Sequence, residues 1–136
     1  MEAKEREIQS KHNYWKKSGT DVTPGKLILT DRRLLFAGHA PRSFGQGGVV
    51  GDLLGNKVIE HMQRNKEKSF ELQLSEIRSV RRPDGITNRG ALDVEGPERT
   101  YRIMDRKRWQ DPLRDAVAAT GANVIDDPDG KGWSLG

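Results

Sequence analysis

Cysteine is absent from the chain, which excludes a disulfide scaffold, a thiolate nucleophile and any zinc site that uses sulfur ligands. Histidine is scarce: His12, His39 and His61 lie far apart and match no ligand spacing. No run approaches the roughly 20 consecutive apolar residues of a membrane-spanning helix. The charged opening from Met1 to Glu7 also lacks the basic and then apolar profile of a signal peptide. A soluble chain is expected, cytoplasmic and at most peripheral at a membrane. The signatures of catalysis are missing too, with no Walker-type glycine loop after a strand and no nucleophile elbow. Asp126, Asp127 and Asp129 beside Gly130 resemble a calcium loop only loosely, because no glutamate follows to close it. A polar turn is the simpler reading, and the expectation is no enzyme, no metal and no cofactor.

Apolar material is itself limited. The 136 residues are 33% hydrophobic and 32% charged, so one core is affordable only if the apolar residues fall in short, well-patterned segments. One domain is expected over residues 1–121, with 122–136 as a C-terminal extension or a loose tail. The net charge of +4 permits an anionic partner without requiring one.

The clearest pattern is Gly25-Lys-Leu-Ile-Leu-Thr30, then Asp31-Arg32, then Arg33-Leu-Leu-Phe-Ala-Gly38, which reads as a β-hairpin with a tight polar corner. A strand within Ile8–Lys17 precedes it. Phe70, Leu72 and Leu74 alternate with Glu71 and Gln73, which predicts a half-buried strand. In Ile77–Arg81 the apolar Ile77 and Val80 break period two, so a bulge or irregular edge is expected. Ala91–Glu95 and Thr100–Met104 flank Gly96-Pro97 as a second hairpin. Seven strands are expected. After Asp105 the period changes: Trp109, Leu113, Ala116 and Val117 mark an amphipathic helix that ends before Gly121. Pro112 requires either a kink or a helix that starts there, capped by Asp111.

One stretch stands outside this order. Val49-Val50, Leu53-Leu54, Val58-Ile59 and Met62 recur every four to five residues, the pattern of one helix face, so a helical insertion over about 47–65 is expected after the third strand. Its glycines weaken it by roughly 1 kcal/mol each relative to alanine, and it needs packing to hold it. Val50, Leu53, Leu54 and Val58 are the candidate apolar contact. They would face the body of the protein, lipid, or a second subunit in a homodimer, and Gly47, Gly51 and Gly55 would allow close approach.

Gly25-Lys-Leu-Ile-Leu-Thr-Asp-Arg-Arg-Leu-Leu-Phe36 resembles the hairpin of GRAM domains, and Leu74-Ser-Glu-Ile-Arg-Ser-Val80 is similar to a later strand pair of that family. The resemblance covers roughly Ile8 to Thr120 and implies a pleckstrin-homology-like fold. That fold is mainly β, a seven-stranded antiparallel barrel or sandwich with one C-terminal helix. The length of the insertion and the position of Pro112 depart from the pattern. The resemblance also implies a binding module, membrane-associated or protein-binding, in which basic residues near the first strands recognise anionic lipid. Here those residues are Lys11, Lys16, Lys17 and Lys26, with Arg32 and Arg33 at the opposite hairpin end. Each lysine at an anionic membrane contributes about 1 kcal/mol, so a cluster would tether weakly. Solvated lysines on a soluble barrel explain the same residues equally well. Arg78, Arg81, Arg99 and Arg102 alternate along strands and read as a polar exterior. Nucleic acid is not expected as a partner, because Tyr101 and Trp109 read as core rather than stacking platforms. The expected partner is an anionic phospholipid. The alternative is a protein partner docked on a barrel edge or on the inserted helix.

Overall fold

The computed structural model describes residues 5–40, 58–85 and 88–136. Along the chain come β1 (Glu7–Lys16), β2 (Val22–Thr30), β3 (Arg33–Gly38), α1 (Val58–Arg64), β4 (Phe70–Gln73), β5 (Ser79–Arg81), β6 (Leu92–Glu95), β7 (Thr100–Ile103), α2 (Arg106–Ala118), β8 (Val124–Asp126) and β9 (Gly132–Leu135). The strands form one nine-stranded sheet in the order β4-β3-β2-β1-β7-β6-β5-β9-β8. Two expectations are corrected here. Among the described residues the strands number nine rather than seven, and the sheet is open rather than a closed barrel.

The extra strands come from the C-terminal extension, which is no loose tail. β8 and β9 form a hairpin, and β9 pairs with β5 through Val80 opposite Trp133. Trp133 is 1% exposed and belongs to the main core, so the extension is held by a large apolar side chain. Closure of a barrel would need β4 to meet β8. Instead, side chains close the interior: Leu27, Leu29 and Phe36 from one half of the sheet share a core with Leu92, Val94 and Ile103 from the other. Trp109, Leu113, Ala116 and Val117 of α2 complete that core, on the stripe that the helical spacing predicts.

The two halves join at a narrow seam. Between β1 and β7 the ladder has a single pair, Lys16 opposite Arg102. Below it, the buried amide of Asn13 does the work of a backbone: it donates to the Met104 carbonyl (3.0 Å) and accepts from the Met104 N–H (2.8 Å). A polar side chain is tolerated at 2% exposure because its hydrogen bonds are made.

Helix α2 begins at Arg106, six residues before Pro112, so the expectation of a start capped by Asp111 is corrected. A proline in a helix interior leaves the carbonyl four residues earlier without its usual donor. That carbonyl belongs to Arg108, and the Gln9 side chain donates to it at 2.9 Å. The helix ends as expected, with Gly121 at φ 93°, a conformation in which a side chain is strained.

A capping box explains the irregularity near Ile77. The Gln73 N–H donates to the Glu76 carboxylate at 2.8 Å, and Leu74–Glu76 turns as a 3-10 helix. The chain then enters the short β5. Of the insertion expected over about 47–65, residues 47–57 lie outside the described residues, and Val58–Arg64 is helical as expected. Val58 is fully buried in a small cluster with Ile28, Leu35 and Ala37. Within the described residues, α1 therefore covers the outer face of β2 and β3.

Candidate functional site

Alternation along β1 decides which side chains the site can use. Asn13 and Trp15 point inward and are buried, so Tyr14 and Lys16 point outward. Trp15 joins Phe36, Phe70 and Tyr101 in an aromatic cluster, with Trp15 edge-on to Phe70 at 5.1 Å and Phe70 stacked on Tyr101 at 4.1 Å. Such pairs contribute roughly 1 kcal/mol beyond their buried area. They make a rigid floor for the loop that follows.

On that floor sits a basic corner built from two segments. Lys17 places its ammonium 4.4 Å from the centroid of the Trp15 ring and donates to the Glu67 carbonyl at 2.6 Å. Lys68 reaches back to Asp21 at 3.6 Å. The loop between β1 and β2 is thereby tied to the 3-10 turn Lys66–Lys68. Gly38 allows this approach, because a Cβ there would meet the Lys68 carbonyl oxygen at 2.1 Å. The loop keeps its shape through Ser18, whose hydroxyl accepts from the N–H groups of Thr20 (3.3 Å) and Asp21 (3.0 Å).

Beside the corner lies a depression of about 590 Å³ lined by Lys16, Lys17, Ser18, Gly19, Asn88 and Arg102, with Asp93 and Thr100. Arg102 is not available as a bare charge. Asp93 grips it at 2.8 and 3.0 Å, and those bonds raise the guanidinium pKa more than partial burial lowers it. Asn88 accepts from the remaining guanidinium arm at 3.1 Å. The lysines thus provide the free positive charge of this depression, and Arg102 provides its wall. Among the described residues no group of acidic and histidine side chains is arranged to hold a metal.

The six basic residues singled out in the sequence do not converge. Lys16 and Lys17 stand at the corner. Lys11 is exposed in mid-strand, and Lys26, 9% exposed, lies on β2 opposite His12. Burial lowers the pKa of Lys26, Glu7 raises it and Lys11 lowers it further, for a net decrease. Arg32 is exposed at the β2–β3 turn, and Arg33 beside it is bonded to Glu5 (2.9 and 3.0 Å) and Glu71 (2.9 Å). At about 3.3 Å per residue, the length of β1 separates that end from the corner by roughly 30 Å. Of the apolar contact set, Val58 packs inside the molecule, while Val50, Leu53 and Leu54 lie outside the described residues. Sequence reasoning missed Ser18, and it missed Lys68 and Asn88, which only the fold brings to the β1–β2 loop.

No family profile matches the chain. No characterised protein matches it by sequence. Solved structures do share its fold. The chain is similar to the C-terminal domain of an unknown protein from Leishmania infantum (TM-score 0.56, 14% identity, covering 84% of this chain and 85% of that one). It is similar to the Vps36 N-terminal PH domain (TM-score 0.52, 15% identity, 85% and 81% covered). It also resembles the linker-DH/PH domains of p115-RhoGEF, with TM-score 0.55 and 12% identity; the match covers 92% of this chain and 31% of that longer fragment. The chain therefore shares its fold with solved PH domains.

Proposed function

We propose that this chain is a non-enzymatic binding module of GRAM type that recognises anionic membrane lipid at the corner between β1 and β2. The observation that carries the reading is that Lys16 and Lys17 line an open polar depression, with Lys68 brought beside their loop by its tie to Asp21. Three ammonium groups at about 1 kcal/mol each on an anionic surface give reversible recruitment rather than permanent anchoring. Ser18 and Asn88 add polar groups suited to a phosphate or its ester oxygens. No helix among the described residues is long and apolar enough to cross a bilayer, so the binding envisaged is peripheral.

Flotation with neutral and phosphatidylserine-containing vesicles, at low and high salt, tests this. Recruitment is expected to anionic vesicles alone and to weaken with salt. Equal recovery with neutral vesicles, or none with either, would remove the lipid reading.

A protein partner is the second reading. β8 is an edge strand of the sheet, and Ile125 (50%) and Leu135 (36%) are exposed beside it, which suits an added strand. Structural relatives with the DH/PH arrangement have been solved in complex with RhoA. This reading gains if no vesicle recruits the chain.

A further inference from the structure

The outer face of β1 and β2 carries a feature that the basic corner does not use. Tyr14 pairs with Pro24 across the ladder, and Lys16 with Val22, so these four side chains form one block on the solvent side. Tyr14 is 44% exposed and Val22 42% exposed, whereas their strand neighbours Asn13 and Thr23 are buried. The tyrosine ring is also held in place, edge-on to His12 at 5.1 Å.

Cations flank this apolar block on its β7 side. Lys16 is part of it, and Lys17 follows at the strand end. Across the seam, Asn88 leads from the Arg102 depression to Arg89, and Arg89, Arg106 and Lys107 line the next depression along, of about 360 Å³. The carboxylates on this side are already engaged, Asp93 with Arg102 and Asp105 with Arg108 at 3.5 Å. An amphipathic tyrosine and a valine flanked by lysine and arginine match the interface of an anionic bilayer, where aromatic rings sit at headgroup level and cations meet phosphates.

Resting on the lipid-binding reading above, we propose that Tyr14 and Val22 enter the membrane interface while Lys16, Lys17 and Arg89 hold anionic headgroups around them. The module then lies with the Lys16 end of the outer β1–β2 face against the bilayer, beyond the part that α1 covers, and β8 stays clear of it.

The absence of cysteine makes the test direct. Val22→Cys and Ile125→Cys each introduce one thiol for an environment-sensitive fluorophore, and both positions are exposed, so folding is checked by thermal melting. With phosphatidylcholine/phosphatidylserine vesicles, the probe at 22 is expected to shift to the blue and the probe at 125 to stay unchanged. Tyr14→Ser is expected to weaken vesicle partitioning roughly three- to tenfold with an unchanged melting temperature. If the protein floats with the vesicles but the probe at 22 is silent, or the probe at 125 responds instead, this orientation is overturned and lipid binding stands. If the labelled proteins fail to float at all, the lipid reading itself falls.

Discussion

The two ends of β1 carry similar amounts of charge and use it in opposite ways. At the Glu7 end, Arg33 is 21% exposed and gripped by Glu5 and Glu71. Thr30 donates to the same Glu5 at 2.6 Å, and Lys26 feels Glu7. The charges of Arg33, Glu5 and Glu71 are consumed by one another. At the Lys16 end, Lys17 meets a carbonyl and an aromatic face, and the salt bridge of Lys68 to Asp21 is long and exposed on both sides, at 3.6 Å. Exposed pairs of that kind contribute little. Basic residues that hold the fold together can therefore be separated from basic residues whose charge is left exposed at the surface.

The largest effect that can break this contrast is charge reversal at the corner. Lys16→Glu with Lys17→Glu changes the charge by four units, which at about 1 kcal/mol per unit near an anionic surface predicts at least a hundredfold loss of vesicle affinity. The melting temperature should hold within about a degree or two, because neither side chain is buried. Vesicle sedimentation and calorimetry read the two quantities separately. A large stability loss would mean that the corner is structural after all.

Arg33→Ala is the mirror experiment. It strips a half-buried guanidinium from two carboxylates, and Glu5, 14% exposed, is left without its partner. A loss of about 2 kcal/mol in chemical denaturation is expected, with vesicle affinity unchanged. Loss of vesicle binding at full stability would move the site to the hairpin end and refute the contrast.

The sequence shows why these residues look alike before folding. Gly25 to Gly38 is legible as a hairpin because its turn and its alternation are local, and the α2 stripe is legible for the same reason. The partners of Arg33 stand 28 and 38 residues away, so nothing near it in the chain marks it as neutralised. Lys16 and Lys17 are recognisable as basic, but the approach of Lys68 to their loop depends on where Gly38 ends β3. The β8–β9 hairpin escapes notice because its strands are three and four residues long and Trp133 finds its burial against Val80 of a distant strand. Pro112 is a sound signal for a helix start. What defeats it is a donor from Gln9, 99 residues away.

That donor gives a smaller prediction at the structural end of β1. Gln9→Ala leaves the Arg108 carbonyl without its partner and should cost about 1 kcal/mol. Pro112→Ala restores the backbone N–H, so the same Gln9 substitution made in that background should cost close to nothing. Urea denaturation of the four proteins closes the cycle. Equal costs in both backgrounds would show that Gln9 does not substitute for the missing helix bond.

The smallest effect is one of pH, and its sign distinguishes burial from pairing. Burial raises the Glu7 carboxyl above its ordinary 4.5, and the attraction of Lys26 lowers it by less. A raised carboxyl favours the folded state fully below the unfolded value and loses that contribution as pH rises from 4.5 through the folded value. Asp126 behaves in the opposite sense: its bond from Arg114 holds it below its ordinary 3.8 despite some desolvation, so its contribution is present above 3.8 and lost as pH falls below it. Glu7→Gln should therefore gain slightly in stability relative to wild type at pH 7, and the gain should vanish below pH 4.5. Asp126→Asn should show a slight deficit at pH 7 that closes in acid. Urea midpoints measured from pH 3 to pH 8 decide it: a deficit for Glu7→Gln at neutral pH would mean that Lys26 holds this carboxylate more strongly than burial opposes it, and the Glu7 end of β1 would then be stabilised by its charges rather than merely silencing them.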